Sequence, residues 1–190
     1  MANKKESTFL NMTVTLLIVT IVASFALGGV YNLTKEKIEL ALKAKKEAAI
    51  KNVIPEFDRI ETFMVMPDNG PDSLEFNVGF QGENVVGTAI ETYTDNGFSG
   101  RFRIMVGLLP NGSICNTSVL EHKETPGLGD KMDVKKSKFP NQFMDKNPEE
   151  FSLSVKKDGG DVDAITAATI SSRAFLDAVQ RAYDNLRKEN

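Results

Sequence analysis

The chain has few of the residues on which reactive protein sites most often depend. Its 190 residues include one cysteine, Cys115, and one histidine, His122. A single cysteine excludes an intramolecular disulfide and a cysteine-based zinc site, and one histidine beside it leaves little room for a Cys/His catalytic pair. A strong charge of either sign is also missing, because 26 acidic and 23 basic side chains give a formal net charge of −3. This balance gives no electrostatic reason to bind nucleic acid.

Charge is absent from a long N-terminal stretch. No charged residue lies between Glu6 and Lys35, and residues 9–31 are mostly apolar. A helix over this stretch is roughly 34 Å long, enough to cross the hydrocarbon core of a bilayer. The alternative is a cleaved secretory signal, whose apolar region is usually about 7–15 residues long and ends in an A-x-A-like site. Only Ala23–Ala26 partly resembles such a site, so the sequence favours an uncleaved anchor.

The charges that flank this anchor leave its orientation open. Lys4 and Lys5 precede the apolar stretch, and a cluster of lysines follows it: Lys35, Lys37, Lys43, Lys45 and Lys46. A raw lysine count would keep the C-terminal part in the cytoplasm. Long domains, however, cross membranes largely regardless of charge, and neighbouring glutamates dilute the cluster.

Composition and periodicity divide the chain into four segments. We expect a short tail over residues 1–8, a transmembrane helix over 9–31, a helical stalk over 32–53 and one domain over 54–190. Within the domain, residues 74–80, 85–92, 101–108 and 113–120 read as strands, and Pro110-Asn111-Gly112 predicts a hairpin between the last two. The last segment is a helix with apolar residues at helical spacing: Phe175, Leu176, Val179, Ala182, Tyr183 and Leu186. Strands followed by a helix predict an α+β fold.

Residues 163–172, with the sequence DAITAATISS, form a small and hydroxyl-rich run directly before the last helix. In a purely structural role, Ser171 or Ser172 is the N-cap of that helix. The same position also favours an anion site, especially for phosphate, since free backbone N–H groups and the helix dipole meet there. Ala167 and Ala168 would let such a ligand approach the backbone closely.

Two other segments have the composition of loops. Residues 121–131, EHKETPGLGDK, place two glycines around Leu128, so the loop either exposes an apolar side chain or simply connects the hairpin to a short helix. It is not a dinucleotide-binding fingerprint, and the chain has no Walker A sequence. Residues 96–100, NGFSG, predict a turn in which Phe98 either packs on the core or offers a flat surface to a ring.

The order of these segments resembles one family: the G subunits of the Rnf ion-translocating electron transport complexes. Their FMN-binding domain is shared with the C subunit of the sodium-pumping NADH:quinone reductase. The residues that carry the resemblance are 97–100, 122–131 and 163–172, after an N-terminal anchor, and the similarity covers essentially the whole chain. It implies a single transmembrane helix followed by a small antiparallel-sheet FMN-binding domain with flanking helices.

The resemblance also implies how the cofactor is held. In this family a flavin transferase joins FMN through its phosphate to the last threonine of a D-x-x-[ST]-G-A-[ST] motif, one FMN per chain. The matching positions here are Asp163, Thr166 and Thr169, with Thr169 as the linked residue, and Ala167 stands where the family usually has glycine. The other expected cofactor-binding residues are Thr166, Ala167, Ala168, Ser171, Glu124, Thr125, Gly127, Leu128, Gly129 and Phe98. No metal ligand and no catalytic residue is expected.

The implied function is electron transfer within a larger complex. Such a complex couples ferredoxin oxidation and NAD reduction to movement of Na⁺ or H⁺, and this chain would be an electron carrier rather than an enzyme by itself. The expected partners are the membrane, the other subunits of the complex and the flavin transferase, with no nucleic acid. The resemblance places the chain in the cell inner membrane with its C-terminal domain on the extracytoplasmic side.

Three other interpretations remain open from the residues. The first is the C-type subunit of the quinone reductase, whose chains are typically longer. The second is a membrane-anchored sensor or ligand-binding module that holds a small anion noncovalently in the glycine-rich loop. The third is an assembly subunit that never receives flavin.

Overall fold

The computed structural model describes residues 8–68 and 70–189. They fall into two units, one that ends at Ala44 and one that begins at Lys45. Residues 1–7 of the predicted tail, including Lys4 and Lys5, lie outside the described residues.

The first element is a long helix, α1, over Phe9–Val53. The predicted anchor and stalk are therefore parts of one continuous helix, which ends just before Pro55, where a helix loses a backbone hydrogen-bond donor. Among the described residues, α1 is the single helix long and apolar enough to cross a membrane.

The second unit contains a five-stranded antiparallel sheet with its strands in sequence order. The strands are β1 (Arg59–Val65), β2 (Leu74–Gln81), β3 (Asn84–Thr94), β4 (Phe102–Leu108) and β5 (Ile114–Glu121). The four predicted strands are confirmed with small shifts at their ends. The predicted hairpin is confirmed too, since β4 pairs with β5 and Val106 lies opposite Thr117.

Strand β1 was not predicted from the sequence. It lies at the edge of the sheet and pairs with β2, and only Ile60 and Val65 along it are half-buried. A strand with most of its side chains exposed has no regular alternation of apolar and polar residues, which is the main signal for a strand.

Both faces of the sheet are covered. The C-terminal helix α2 (Thr169–Glu189) packs on one face, and all six of its predicted core residues are buried. On the other face, Val53 at the end of α1 and Ile54 directly after it pack with Ala89 and Met105. The approach is so close that a Cβ on Gly107 would lie 1.7 Å from the Val53 carbonyl oxygen. Only glycine fits there.

A long connection with three short 3₁₀ helices joins β5 to α2. These helices span Gly129–Met132, Phe139–Phe143 and Lys156–Asp158. An aromatic cluster attaches the connection to α2, because the rings of Phe139 and Phe143 each lie 5.5 Å from the ring of Phe175. Such ring contacts add to the apolar burial and hold the connection against the first half of α2.

Candidate functional site

The three loop segments singled out in the sequence meet around one cavity of about 310 Å³. It lies where the turn after β3, the loop after β5 and the beginning of α2 converge. The residues that line it are Phe98, Glu124, Thr125, Leu128, Gly129, Ala167, Ala168, Thr169, Ile170 and Ser171. Side chains far apart in the chain thus form one concave surface, the usual form of a small-molecule site.

Glu124 links the three segments. The residue is 4% exposed, and both oxygens of its carboxylate accept hydrogen bonds. The backbone N–H of Ser99 donates to Oε1 at 2.9 Å, and the Ser171 hydroxyl donates to Oε2 at 2.7 Å. A buried carboxylate is costly without such donors, so these contacts hold the turn, the loop and α2 in one arrangement.

Two glycines make room for the Glu124 side chain. A Cβ on Gly129 would lie 2.3 Å from Glu124 Oε2 and 2.6 Å from Ser171 Oγ. A Cβ on Gly97 would lie 2.8 Å from Glu124 Oε1. The glycines of the loop and of the turn therefore serve the packing around one carboxylate, in addition to any role in exposing Leu128.

The loop after β5 is shaped by local hydrogen bonds. The backbone N–H of Glu124 donates to Nδ1 of His122 at 3.1 Å, and that of Leu128 donates to the Thr125 carbonyl oxygen at 3.1 Å. Gly127 has a φ of +79°, which glycine adopts readily. As a result, the Leu128 side chain reaches the cavity and stays 40% exposed.

The turn over residues 96–100 is confirmed. The N–H of Gly100 donates to the carbonyl oxygen of Gly97 at 3.1 Å. Phe98 at its tip is 67% exposed and lines the cavity, so its ring offers a surface to a ligand instead of packing on the core.

The proposed N-cap serines are wrong, because α2 begins at Thr169 and both serines lie inside its first turn. Ser172 instead closes the preceding loop: its hydroxyl accepts from the Ile165 N–H at 2.9 Å and donates to the Ala168 carbonyl oxygen at 3.0 Å. The first-turn N–H groups of a helix have no intrahelical acceptor. Thr169, Ile170 and Ser171 therefore present these donors where the cavity meets the helix.

Ala167 has a φ of +60°, in the left-handed region that favours glycine. For an L-residue with a Cβ this conformation costs roughly 1–2 kcal/mol. The turn that creates it is closed by the Ala168 N–H, which donates to the Ile165 carbonyl oxygen at 3.0 Å. Backbone conformation therefore gives a physical reason for a glycine at this motif position, besides the close approach of a ligand.

An ion pair between the buried Asp130 and the exposed Lys136 follows the loop. Lys136 Nζ is 2.7 Å from Asp130 Oδ2. The hydrogen bond from Lys136 lowers the pKa of Asp130 below its ordinary value, against the opposing effect of burial, and the Lys136 charge and the Gly127 N–H add to the lowering. This pair holds the 3₁₀ helix that follows Leu128.

The structure brings nine of the eleven sequence-predicted site residues to the cavity. The two that do not line it are Thr166, which is exposed in the turn before α2, and Gly127. Asp163 also lies away from the cavity lining and pairs with Lys156 at 2.8 Å.

Ile170, which is 49% exposed at the rim, was not predicted. The sequence does indicate this position, because Ile170 is a large apolar residue between two hydroxyl residues of the predicted site, Thr169 and Ser171.

Residues 97–184 match the FMN-binding domain family. The chain is 36% identical over 165 residues to the G subunit of the ion-translocating oxidoreductase complex of Haemophilus influenzae (strain PittEE), which covers 82% of this chain and 79% of that one. It is 32% identical over 190 residues to the corresponding G subunit of Pasteurella multocida (strain Pm70), and this alignment covers 92% of this chain and 94% of that one. It is 38% identical over 119 residues to the corresponding G subunit of Escherichia coli (strain K12), and this alignment covers 61% of this chain and 58% of that one.

The fold, the apolar helix and the domain match define a membrane electron-transfer flavoprotein with an FMN-binding domain. The chain belongs to the family of G subunits of ion-translocating oxidoreductase complexes, the Rnf type. The family expected from the sequence is confirmed, and so is the α+β fold with one N-terminal apolar helix.

Proposed function

We propose that this chain is an electron-transfer subunit that carries one FMN joined through its phosphate to the Thr169 hydroxyl. The observation that supports this most is the position of Thr169: it is the first residue of α2 and lies in the wall of the cavity. The other threonine of the motif, Thr166, does not line the cavity.

The beginning of α2 fits a phosphate. Thr169, Ile170 and Ser171 present first-turn N–H groups, and the positive end of the helix dipole favours a negative group there. Ala167 and Ala168 have short side chains, which leave the backbone open to the cavity. No lysine or arginine is among the described residues that line the cavity, so backbone donors would bind the phosphate.

The rim of the cavity fits a flat aromatic ring. Three large apolar side chains, Phe98, Leu128 and Ile170, line the cavity and are exposed. Exposed apolar groups gathered at a concave site indicate a ligand surface, and a ring that lies against them removes apolar area from water. Thr125 offers a polar contact beside Leu128.

The attachment step uses the Thr169 hydroxyl as the nucleophile. Its Oγ1 would form a bond to the FMN phosphorus and lose its proton, while the bond from that phosphorus to the bridging oxygen of a flavin phosphoanhydride would break and the other phosphate would leave. A flavin transferase would supply this donor and the base that takes the proton. Thr169 is half-buried, and this leaves its side chain accessible for the reaction.

FMN, when bound, supplies a carrier that accepts and passes on electrons. The chain itself positions that carrier: α2 orients the phosphate end, and the rim residues limit water at the ring. The anchor in α1 keeps the domain at the membrane surface, where the other subunits of the complex lie.

The relatives are named as subunits of ion-translocating oxidoreductase complexes, and we extend that assembly to this chain. The complex would couple ferredoxin oxidation and NAD reduction to movement of Na⁺ or H⁺. We place residues 54–190 on the extracytoplasmic side, with residues 9–31 in the inner membrane and 32–53 as the stalk. Protease added to intact spheroplasts should then remove the domain, and protection of the domain until lysis would contradict this side.

Covalent attachment is tested by co-expressing the full chain with a flavin transferase and viewing a denaturing gel under ultraviolet light. The wild-type band should fluoresce, the Thr169→Ala band should be dark, and Thr169→Ser, which keeps a hydroxyl, should recover fluorescence. Thr62→Ala on β1 is the matched control, because Thr62 lies outside the cavity lining and bonds to Asn77.

Two results would contradict the proposal in different ways. A dark wild-type band beside a fluorescent known substrate of the transferase would favour a noncovalent binding module or an assembly subunit. A fluorescent Thr169→Ala band would move the attachment to another residue.

A further inference from the structure

The wall of the cavity contains a buried acidic group. Glu124 lines the cavity although the residue is 4% exposed, and its two oxygens accept from a backbone N–H and from a hydroxyl. Both donors are neutral, so they satisfy the oxygens without removing the charge of the carboxylate.

Among the residues that the structure describes, Glu124 has no cationic partner of the kind that Asp130 has. Asp130 pairs with Lys136 at 2.7 Å. None of the ion pairs among residues 8–68 and 70–189 includes Glu124. His122 accepts from the backbone N–H of Glu124, and its imidazole makes no hydrogen bond to the carboxylate. A negative charge that faces the cavity without a cation acts strongly on any charge placed there, because the effective dielectric constant is low.

We propose that Glu124 lowers the reduction potential of the FMN held in this cavity, an inference that rests on the proposed function. Reduction adds two electrons from a donor and one proton from solvent to the flavin, so the reduced ring gains one negative charge. The Glu124 carboxylate repels that charge and favours the oxidised form. Ser171 sets the size of the effect, since its hydroxyl offsets part of the carboxylate charge.

The test measures the ratio of reduced to oxidised flavin at a fixed potential. The full chain, loaded with FMN by a flavin transferase and held in detergent, is equilibrated with a redox dye of known potential at one fixed, mildly alkaline pH. At the wild-type midpoint, Glu124→Gln should raise the ratio about tenfold, equivalent to about 30 mV for a two-electron couple. Ser171→Ala should lower the ratio, because it removes a donor and keeps the charge.

The opposite signs separate a charge effect from a structural one. A variant that only disturbs the cavity shape would move both ratios in the same direction. Glu121→Gln is the matched control, because this glutamate is exposed at the end of β5 and does not line the cavity. Its ratio should equal that of the wild type.

Each remaining outcome overturns or supports the inference. An unchanged ratio in flavin-loaded Glu124→Gln, or a rise that Ser171→Ala shares, would overturn it. If Glu124→Gln does not take up FMN, Ser171→Ala decides: a lower ratio supports the inference and an equal or higher one overturns it. If neither variant holds FMN although the wild type does, the two side chains act through cavity shape alone, which also overturns it. A wild type without FMN would remove the proposed function itself.

Discussion

The Ser171 hydroxyl donates a hydrogen bond of 2.7 Å to Oε2 of Glu124, and so joins residues 47 positions apart in the chain. This bond connects the first turn of α2 to the loop after β5. The same carboxylate also accepts from the Ser99 N–H, which connects it to the turn after β3. A single buried side chain therefore holds together the three segments around the cavity.

Gly129→Ala should destabilise the protein, because the new Cβ would meet Glu124 Oε2 at 2.3 Å and Ser171 Oγ at 2.6 Å. Overpacking of this kind typically costs about 1–3 kcal/mol. Guanidinium unfolding of the full chain in detergent, followed by circular dichroism, measures the change. Gly127→Ala is the comparison, since no atom lies within 4 Å of its Cβ position and only its φ of +79° opposes the substitution. A Gly129→Ala protein as stable as the wild type would contradict the described packing.

Ala167→Gly should stabilise the protein by about 0.5–1 kcal/mol, because it relieves a left-handed backbone conformation. Part of this gain is lost, because glycine raises the conformational entropy of the unfolded chain. The φ of +60° is the basis of this prediction. The same unfolding measurement applies. Ala168→Gly should destabilise the protein instead, because Ala168 is buried and is not among the residues with a positive φ. Stabilisation by both substitutions would show that φ is not the cause.

Leu128→Ser should cost no more than about 1–2 kcal/mol of stability, because the side chain is 40% exposed and loses only part of the burial energy of a leucine. If Leu128 shields the flavin ring, quenching of flavin fluorescence by iodide should increase in this variant. Val85→Ser is the matched control, with an exposure of 42% on β3 and no place in the cavity lining. Equal quenching in the wild type and in both variants would place the ring away from Leu128.

The pair of Asp130 and Lys136 predicts a change in stability with pH. The pKa of Asp130 is lowered in the folded state, first of all by the hydrogen bond from Lys136. Its stabilisation is therefore present above the unfolded pKa of about 3.9 and is lost as the pH falls through the lower folded value. Lys136→Met raises the folded pKa, so its melting temperature should begin to fall at a higher pH than that of the wild type.

Melting temperatures measured from neutral to acidic pH check this. Lys135→Met removes an exposed lysine next in the chain and should keep the wild-type profile. If all three proteins lose stability over the same pH range, the hydrogen bond from Lys136 does not control Asp130.

Much of the fold follows from local patterns. The six core residues predicted for α2 recur at helical spacing and are all buried, and β4 and β5 follow from alternation and a strong turn signal. Such patterns are visible in sequence because burial of one face imposes a period on the residues that face it. The edge strand β1 was not predictable in this way, since most of its side chains face water and the period is lost.

The candidate site was predictable in its segments but not in its internal contacts. Thr169 and Leu128 stand out in short runs of unusual composition. Nothing local shows that Glu124 bonds to Ser171, because the two meet only when the long connection and α2 have packed. The left-handed backbone of Ala167 was hidden for a similar reason: alanine itself gives no sign of it.

Local sequence was enough to indicate the family and most of the elements: an uncharged stretch long enough for a membrane, strands and a helix with readable periods, and three segments that resemble a flavin-binding family. These are properties of residues close together in the chain. Packing in three dimensions fixes which of those residues share a cavity, which serines lie inside α2, and which carboxylate lies buried among them. Such relations depend on contacts between distant segments, and those contacts exist only once the sheet and α2 have buried their common core.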